Sequence, residues 1–310
     1  MTASVHLADC LEWMKDQPNN SVDLTFGSPP YASQRTYGGL NFNLQGDEWV
    51  DWMVARYLEM VRITKGLVAM VVDGPTRKFR WTATPILLMA ALHKAGVALR
   101  KPPIFHRVGI AGSGGPDWLR SDHEFIVCAS KGRLPWSDNV AMGHPPKYRP
   151  GGSQSYRLRD GSRVNSARKK RDKAEPKVVA ANWDELPPGS KLHTKDNGRG
   201  EMRVQLYIPP EKANPGSVIK CVVGGGRMGS ALAHRNEAPF PESLATFFVR
   251  SFCPPGGVVF DPFSGSGTTA AAAVLHGRQF VGTEIRQDQV DLTNIRIEEA
   301  KLRAAANSES

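Results

Sequence analysis

The sequence predicts an α/β fold with a mostly parallel sheet, interrupted by a basic insertion. Three observations carry that prediction. Apolar runs of strand length alternate with stretches of helical periodicity towards both ends of the chain. Two of those runs, LVAMVV (67–72) and VVF (258–260), are continuously apolar, as expected of strands covered on both faces. Between residues 133 and 235 the apolar runs shorten and Pro, Gly, Arg and Lys crowd in.

The elements follow in order. ADCLEWMKDQP (8–18) has Leu11 and Met14 at helical spacing and stops at a proline, with Asp9 at the end of a short strand. SVDLTFG (21–27) reads as a strand. A polar loop (32–47) leads to EWVDWMVARYLEMVRITKG (48–66), whose apolar positions 49, 53, 54, 57, 58 and 61 make a helical stripe closed by Gly66. LVAMVVDG (67–74) is a strand, and TPILLMAALHKAG (84–96) a helix with Pro85 in its first turn. HEFIVCASKG (123–132) is a further strand ending in a turn. PESLATFFVRSFC (241–253) is a helix, and the strand GGVVF follows it. This gives three segments: 1–132 and 236–310 as two halves of one α/β domain, and 133–235 as a loop-rich module between them.

Bulk composition narrows the function. The 310 residues suffice for one large domain or two smaller ones, and 40% hydrophobic with 23% charged residues is ordinary for a soluble globular protein. No run of about 18 apolar residues exists, and MTASVHLADC lacks the basic-then-apolar pattern of a signal peptide. The four cysteines form no CxxC pair, which points to a reducing cytoplasm, and the eight histidines show no ligand spacing, so no metal is predicted. The net charge of +10 is concentrated: residues 131–227 hold 20 Lys/Arg against 9 Asp/Glu, while the rest of the chain is near neutral. That segment is a candidate contact for a polyanion, most simply a nucleic-acid backbone; a solvated basic stretch is the plainer alternative.

DPFSGSGTTAAAAVLHGRQFVGTE (261–284) is the most informative stretch. A tight turn with Gly265 and Gly267 leads into a helix closed by Gly277 and a second strand ending in Glu284. The glycines allow a sharp turn and close approach of a ligand. An acid about 20 residues on can take both hydroxyls of a ribose. Thr268 stands where a phosphate-binding P-loop needs Lys, and Ala270 where a dinucleotide fingerprint needs its third Gly. Asp261 would repel a phosphate. S-adenosylmethionine, with an adenosine, a sulfonium and an amino acid but no phosphate, fits better.

With those residues in view, the chain resembles the beta class of amino-directed DNA methyltransferases. DPFSGSGTT matches that family's F-x-G-x-G cofactor motif and SPPY (28–31) its catalytic motif. ADCLEWMKDQPNNSVDLTFGSPPY, HEFIVCASKG and EAPFPESLATFFVRSFCPPGGVVFDPFSGSGTT are similar to further family blocks, and roughly 200 residues are covered. The order of catalytic motif, recognition region and cofactor motif is that of the beta class. The resemblance implies a permuted S-adenosylmethionine-dependent methyltransferase (Rossmann-like) sheet, with 133–235 as the target-recognition region. It implies a cofactor pocket made by Asp9, Cys10, Ser28, Phe240, Asp261, Phe263, Ser264, Gly265, Ser266, Gly267, Thr268 and Glu284. For Asp9 a helix N-cap is the competing role, and for Phe240 and Phe263 plain core packing. Double-stranded DNA is the implied partner, with a cognate restriction endonuclease and a homodimer as further expectations.

Ser28, Pro29, Pro30 and Tyr31 are the expected catalytic residues. An exocyclic amine is a poor nucleophile because its lone pair is delocalised into the ring. Hydrogen bonds from both amine protons to the Ser28 hydroxyl and the Pro29 carbonyl would draw the nitrogen towards tetrahedral geometry, while Tyr31 stacks on a flipped base. In the resembled family serine at position 28 accompanies mainly cytosine N4 and aspartate mainly adenine N6, so the expectation is cytosine N4, with adenine N6 as the alternative. A non-catalytic nucleic-acid-binding protein on this fold is the remote one, and an RNA or protein amino-methyltransferase is disfavoured by the motif order. Arg77, Lys78 and Arg80, and the RKKR run Arg168, Lys169, Lys170 and Arg171, are candidate phosphate contacts. Tyr148, Tyr156 and Trp183 are aromatic candidates for stacking or packing, and His123 with Glu124 is read as a strand start without chemistry.

Overall fold

The computed structural model describes residues 2–31, 43–110, 114–146, 155–157, 162–165, 191–196, 202–207, 211–224, 226–236 and 238–308. They fall into two compact units, Met1–Met142 with Pro215–Ser310, and Gly143–Asn214.

In chain order the elements are β1 (Ala3–Leu7), α1 (Cys10–Lys15), β2 (Val22–Gly27), α2 (Gly46–Ile63), β3 (Thr64–Val72), β4 (Thr76–Arg77), β5 (Arg80–Trp81), α3 (Thr84–Lys94), β6 (Leu99–Arg100), β7 (Ile104–Val108) and β8 (His123–Ala129). Four short strands, β9 (Ser155–Arg157), β10 (Arg163–Asn165), β11 (Lys191–Asp196) and β12 (Met202–Tyr207), make two antiparallel pairs in the second unit. The chain then returns through β13 (Val218–Val222), α4 (Glu242–Phe252), β14 (Val258–Asp261), α5 (Thr268–Leu275), β15 (Gln279–Glu284) and α6 (Gln287–Ser308).

The first unit is built on a nine-stranded sheet ordered β1-β15-β14-β2-β3-β8-β7-β13, with β6 also pairing β8. Only β8 runs against its neighbours; every other pairing in this sheet is parallel. The sheet is therefore α/β and mostly parallel, as expected. The apolar run of β3 explains its central place. Leu67, Ala69 and Val71 enter one core cluster with Leu244, Phe248, Ala270–Ala273 and Ile297. Val68, Met70 and Val72 enter the other with Met14, Trp49, Met53, Tyr57, Leu88 and Leu92. Helices α1, α2 and α3 thus cover one face, and α4, α5 and α6 the other. Each fully buried large apolar side chain contributes about 1.5–3 kcal/mol.

Two boundaries differ from the sequence reading. Gly66 does not close α2; the helix gives way to extended chain at Thr64, and Gly66 lies within β3. A Cβ there would collide with the Asp23 carbonyl, so the glycine serves close strand approach. And β13 lies within the stretch expected to be a separate module, yet pairs with β7, because Ile219 and Cys221 alternate inward into the core of the first unit.

Candidate active site

Strands β14 and β2 are neighbours, but the chain leaves them in opposite directions. From β14 it passes through α5 to β15 on one side, and from β2 through α2 to β3 on the other. Such a switch point opens a crevice at the carboxyl ends of the strands. The turn after β14 is DPFSGSG and the loop after β2 is SPPY, so the two motifs, more than 230 residues apart, face one crevice. Gly27, the last residue of β2, is what lets them approach: a Cβ there would strike the Asp261 carboxylate.

On the loop after β2, Ser28 is half-buried and its hydroxyl makes no hydrogen bond among the described residues. Pro29 is buried, and its carbonyl has no donor among the described residues. The next carbonyl, of Pro30, accepts from Trp49 Nε1 at 2.9 Å. Tyr31 is buried, and its hydroxyl donates to Glu124 Oε2 at 2.7 Å. Glu124 is itself buried and pairs through Oε1 with Arg107 Nη1 at 3.1 Å. The sequence reading gave Glu124 no chemistry; its place at the crevice end of β8 makes it the anchor of the Tyr31 ring.

On the other side, Asp261 is 1% exposed. Its Oδ1 accepts from the Phe263 amide at 3.0 Å. Burial, reinforced by the charge of Glu284, pushes its carboxyl up to about 7. No cation pairs with it among the described residues. Glu284 ends β15 and holds the glycine turn: Oε2 accepts from Gly265 N at 2.9 Å, and Oε1 from the amides of Ile285 and Arg286. Burial raises this carboxyl too, against the opposing amide bonds. Gly265 and Gly267 have φ of 49° and 79°, the left-handed region that favours glycine, and a side chain on Gly265 would strike Asn236.

The remaining cofactor candidates gather around these. Asp9 caps α1 by accepting from Leu11 N at 2.8 Å, and its other oxygen pairs with Arg56 Nη2 at 2.8 Å. Burial raises its carboxyl, but the bond and charge of Arg56 outweigh this and hold it below the usual range. Cys10 is buried in the first turn of α1, and its thiol is pushed up to about 12 by burial. Phe240 meets Phe26 edge-on at 5.4 Å, and Phe263 lies 5.8 Å from Trp52. Ser264 and Ser266 are buried in the turn; Ser264 Oγ lies 3.3 Å from Thr293 Oγ1, and Ser266 Oγ has no partner among the described residues.

Two sets of residues were missed by the sequence reading. Along α2, Trp49 holds the Pro30 carbonyl, Trp52 meets Phe263, and Arg56 pairs with Asp9 while stacking 4.0 Å over Trp52. Positions 49, 52 and 56 share one helix face, so one helix braces three separate parts of the crevice. The signal was an arginine placed on an apolar stripe. Beneath the glycine turn lies Arg296 of α6, fully buried. It donates to Thr268 Oγ1 at 2.9 Å and the Ser266 carbonyl at 3.3 Å, and faces Glu242 at 3.5 Å. Thr293, one turn earlier, donates to the Gly265 carbonyl at 2.8 Å.

Arg77, Lys78 and Arg80 are exposed on a two-residue hairpin, β4–β5, just after the crevice end of β3. Arg168, Lys169, Lys170 and Arg171, with Tyr148 and Trp183, lie outside the described residues. An open cleft of about 390 Å³ lined by Arg100, Arg133 and Trp136 lies by the end of β8 away from Glu124, and none of the candidate residues lines it.

Comparison with known proteins agrees with this fold. Residues 22–295 match the N6/N4 family model described as DNA methylase. The type II methyltransferase M.ScaI of Streptomyces caespitosus is 38% identical over 307 residues, covering 94% of this chain and 79% of that protein. The PvuII DNA methyltransferase (cytosine-N4-specific) has the same fold, with TM-score 0.60, 17% identity, and 98% and 93% of the two chains covered. So does a putative DNA modification methylase of Thermus thermophilus solved with S-adenosyl-L-methionine, with TM-score 0.57, 20% identity, and 96% and 94% covered.

Proposed function

The chain belongs to the DNA methylase family of the N6/N4 type, and from that premise we propose that it methylates the exocyclic N4 of cytosine in double-stranded DNA at a specific site. The observation that carries this reading is one crevice holding both the Ser28–Tyr31 loop and a buried carboxylate, Asp261, that no described cation neutralises.

The methyl donor is S-adenosylmethionine, and the donor set suits it. Its positively charged end is what the buried acid Asp261 favours, with the half-buried Glu284 beside it, and it brings no phosphate to be repelled. Asp261 would take the positively charged end. Glu284 would take the ribose hydroxyls, and Asp9 the adenine amine: each carboxylate keeps lone pairs beyond its present bonds. Cys10, Phe240, Phe263 and the 264–268 turn would enclose the rest. Bound there, the cofactor supplies a methyl group on a sulfonium, already a good leaving group.

The chain's own residues do the positioning. The Ser28 hydroxyl and the Pro29 carbonyl, both without protein partners among the described residues, are open to accept the two amine protons of a base. Trp49 occupies the Pro30 carbonyl, so the loop offers one carbonyl rather than two. Tyr31 stacks on the flipped base, its ring direction held by Glu124. The base is read from Ser28, the form of the motif that accompanies mainly cytosine in the family; adenine N6 is the second reading, since the matched family spans both. The four cysteines are all unpaired, in keeping with work in a reducing cytoplasm.

Incubation with unmethylated DNA and methyl-labelled S-adenosylmethionine, then digestion to nucleosides, tests this. N4-methylcytosine is the expected product. N6-methyladenine would overturn the base assignment alone, and absence of label the activity. A second result is expected from Glu124→Ala. It removes the 2.7 Å bond from the Tyr31 hydroxyl to a carboxylate, so single-turnover transfer should slow about 10- to 100-fold, the contribution of a bond to a charged group. Cofactor affinity should hold, because Glu124 lies on the base side of the crevice.

A further inference from the structure

The hairpin β4–β5 carries a feature that phosphate contact does not explain. Its two turn residues, Lys78 and Phe79, have φ of 48° and 63°. A two-residue turn with both central residues in this region favours Asn-Gly, and a bulky aromatic there is unusual. Phe79 is 78% exposed, which gains nothing for the fold. Three cations, Arg77, Lys78 and Arg80, surround it on the hairpin.

The hairpin is nevertheless fixed to the site. Trp81 Nε1 donates to the Gly74 carbonyl at 3.1 Å, and the Thr82 amide to the Pro75 carbonyl at 3.0 Å. The Trp81 ring stacks on Phe125, with centroids 6.1 Å apart. Phe125 is the next residue along β8 from Glu124, which holds Tyr31. The tip of the hairpin is thus tied, through two packed rings and one strand, to the residue expected to stack on the target base.

We propose that Phe79 is a wedge that enters duplex DNA beside the target base and holds the stack open while that base is flipped, with Arg77, Lys78 and Arg80 on the flanking phosphates. The inference rests on the DNA methylase reading above. A base leaving the stack exposes the faces of its neighbours, and an apolar side chain that fills the gap recovers part of the lost stacking. The task needs an exposed aromatic, a short supported arm, cations on its flanks, and a place at the mouth of the base site, and this hairpin has all four.

The test compares the wild type with Phe79→Ala and Phe79→Trp on duplexes bearing the methylation site that sequencing of modified DNA identifies, either fully paired or mismatched at the target base. Phe79→Ala should lose about 5- to 150-fold in kcat/KM on the paired duplex, the range for removing one stacked aromatic. Most of that loss should return on the mismatched duplex, where the base is already unpaired. Phe79→Trp should stay close to the wild type, and cofactor affinity should not move in either variant. Equal activity of Phe79→Ala and wild type on the paired duplex overturns the proposal. So does an equal loss on both duplexes, or a change of oligomeric state that marks the tip as a self-contact. A wild type that transfers no methyl to DNA overturns both this inference and the reading on which it rests.

Discussion

Asp261→Ala should lower S-adenosylmethionine affinity by roughly 30-fold to several thousandfold, while thermal unfolding of the ligand-free protein changes little or improves. Removing one partner of a buried charge pair costs about 2–5 kcal/mol in binding. The ligand-free fold gains because a buried carboxyl with no described cation is a burden to it. The pH dependence follows from the same environment. The Asp261 carboxyl lies near 7 in the fold and near 3.8 unfolded. Between those values the folded state binds more protons, so this group makes the ligand-free protein more stable as pH falls from about 7 towards 4. The slope is at most about 1.4 kcal/mol per unit. Binding of a cation requires the ionised acid, so affinity should move the other way, falling by up to about tenfold per unit below pH 7. Asp261→Asn should bind weakly and lose this contribution to both pH dependences. Calorimetric titration with the cofactor at pH 5.5, 6.5 and 7.5 checks both variants; wild-type affinity that is flat across this range contradicts the assignment.

Arg296→Ala is expected to cost about 3 kcal/mol of folding stability, at the low end of the range for breaking a buried ion pair. The discount has a cause: Arg303 stays on Glu242, at 2.9 Å, so the acid keeps one cation. Arg296 also joins the Ser266 carbonyl, Thr268 and Glu242, so the glycine turn should loosen with it. Denaturant unfolding measures the stability, and cofactor titration at low temperature, where the variant remains folded, measures the turn. The pairing of Arg296→Met with Glu242→Gln should recover part of the stability without restoring affinity, because the turn's donors are still gone. Full cofactor affinity in Arg296→Ala would show that the turn stands without it.

The strands and helices named from the sequence, and the two motifs, were legible because each depends on local pattern; α6, β7 and β13 were not among them. The double-faced burial of β3 reads straight from LVAMVV, and the turn after β14 from its glycines. The crevice was legible only in outline, since a switch point belongs to strand order rather than to any segment. What stayed hidden were residues whose role lies in a distant partner. Glu124 looks like a strand start until Tyr31 is seen on it, and Arg296 looks like a surface helix cation until Thr268 and Glu242 are. Gly66 failed for the same reason: a glycine after a helix reads as a cap, and only the Asp23 carbonyl across the strand pair gives its actual purpose. Asp9 carried two readings, and they are compatible: it caps α1 with Arg56 on its other oxygen, and lone pairs beyond those bonds serve the proposed cofactor role.

The most direct measurement is to express the protein in a host that lacks DNA methylation and map every modified base in that host's genome, with Ser28→Ala as the control. N4-methylcytosine is expected at one short sequence only, present with the wild type and strongly reduced with Ser28→Ala. Modification at adenine, modification without sequence preference, or an unmodified genome beside abundant folded protein would contradict it.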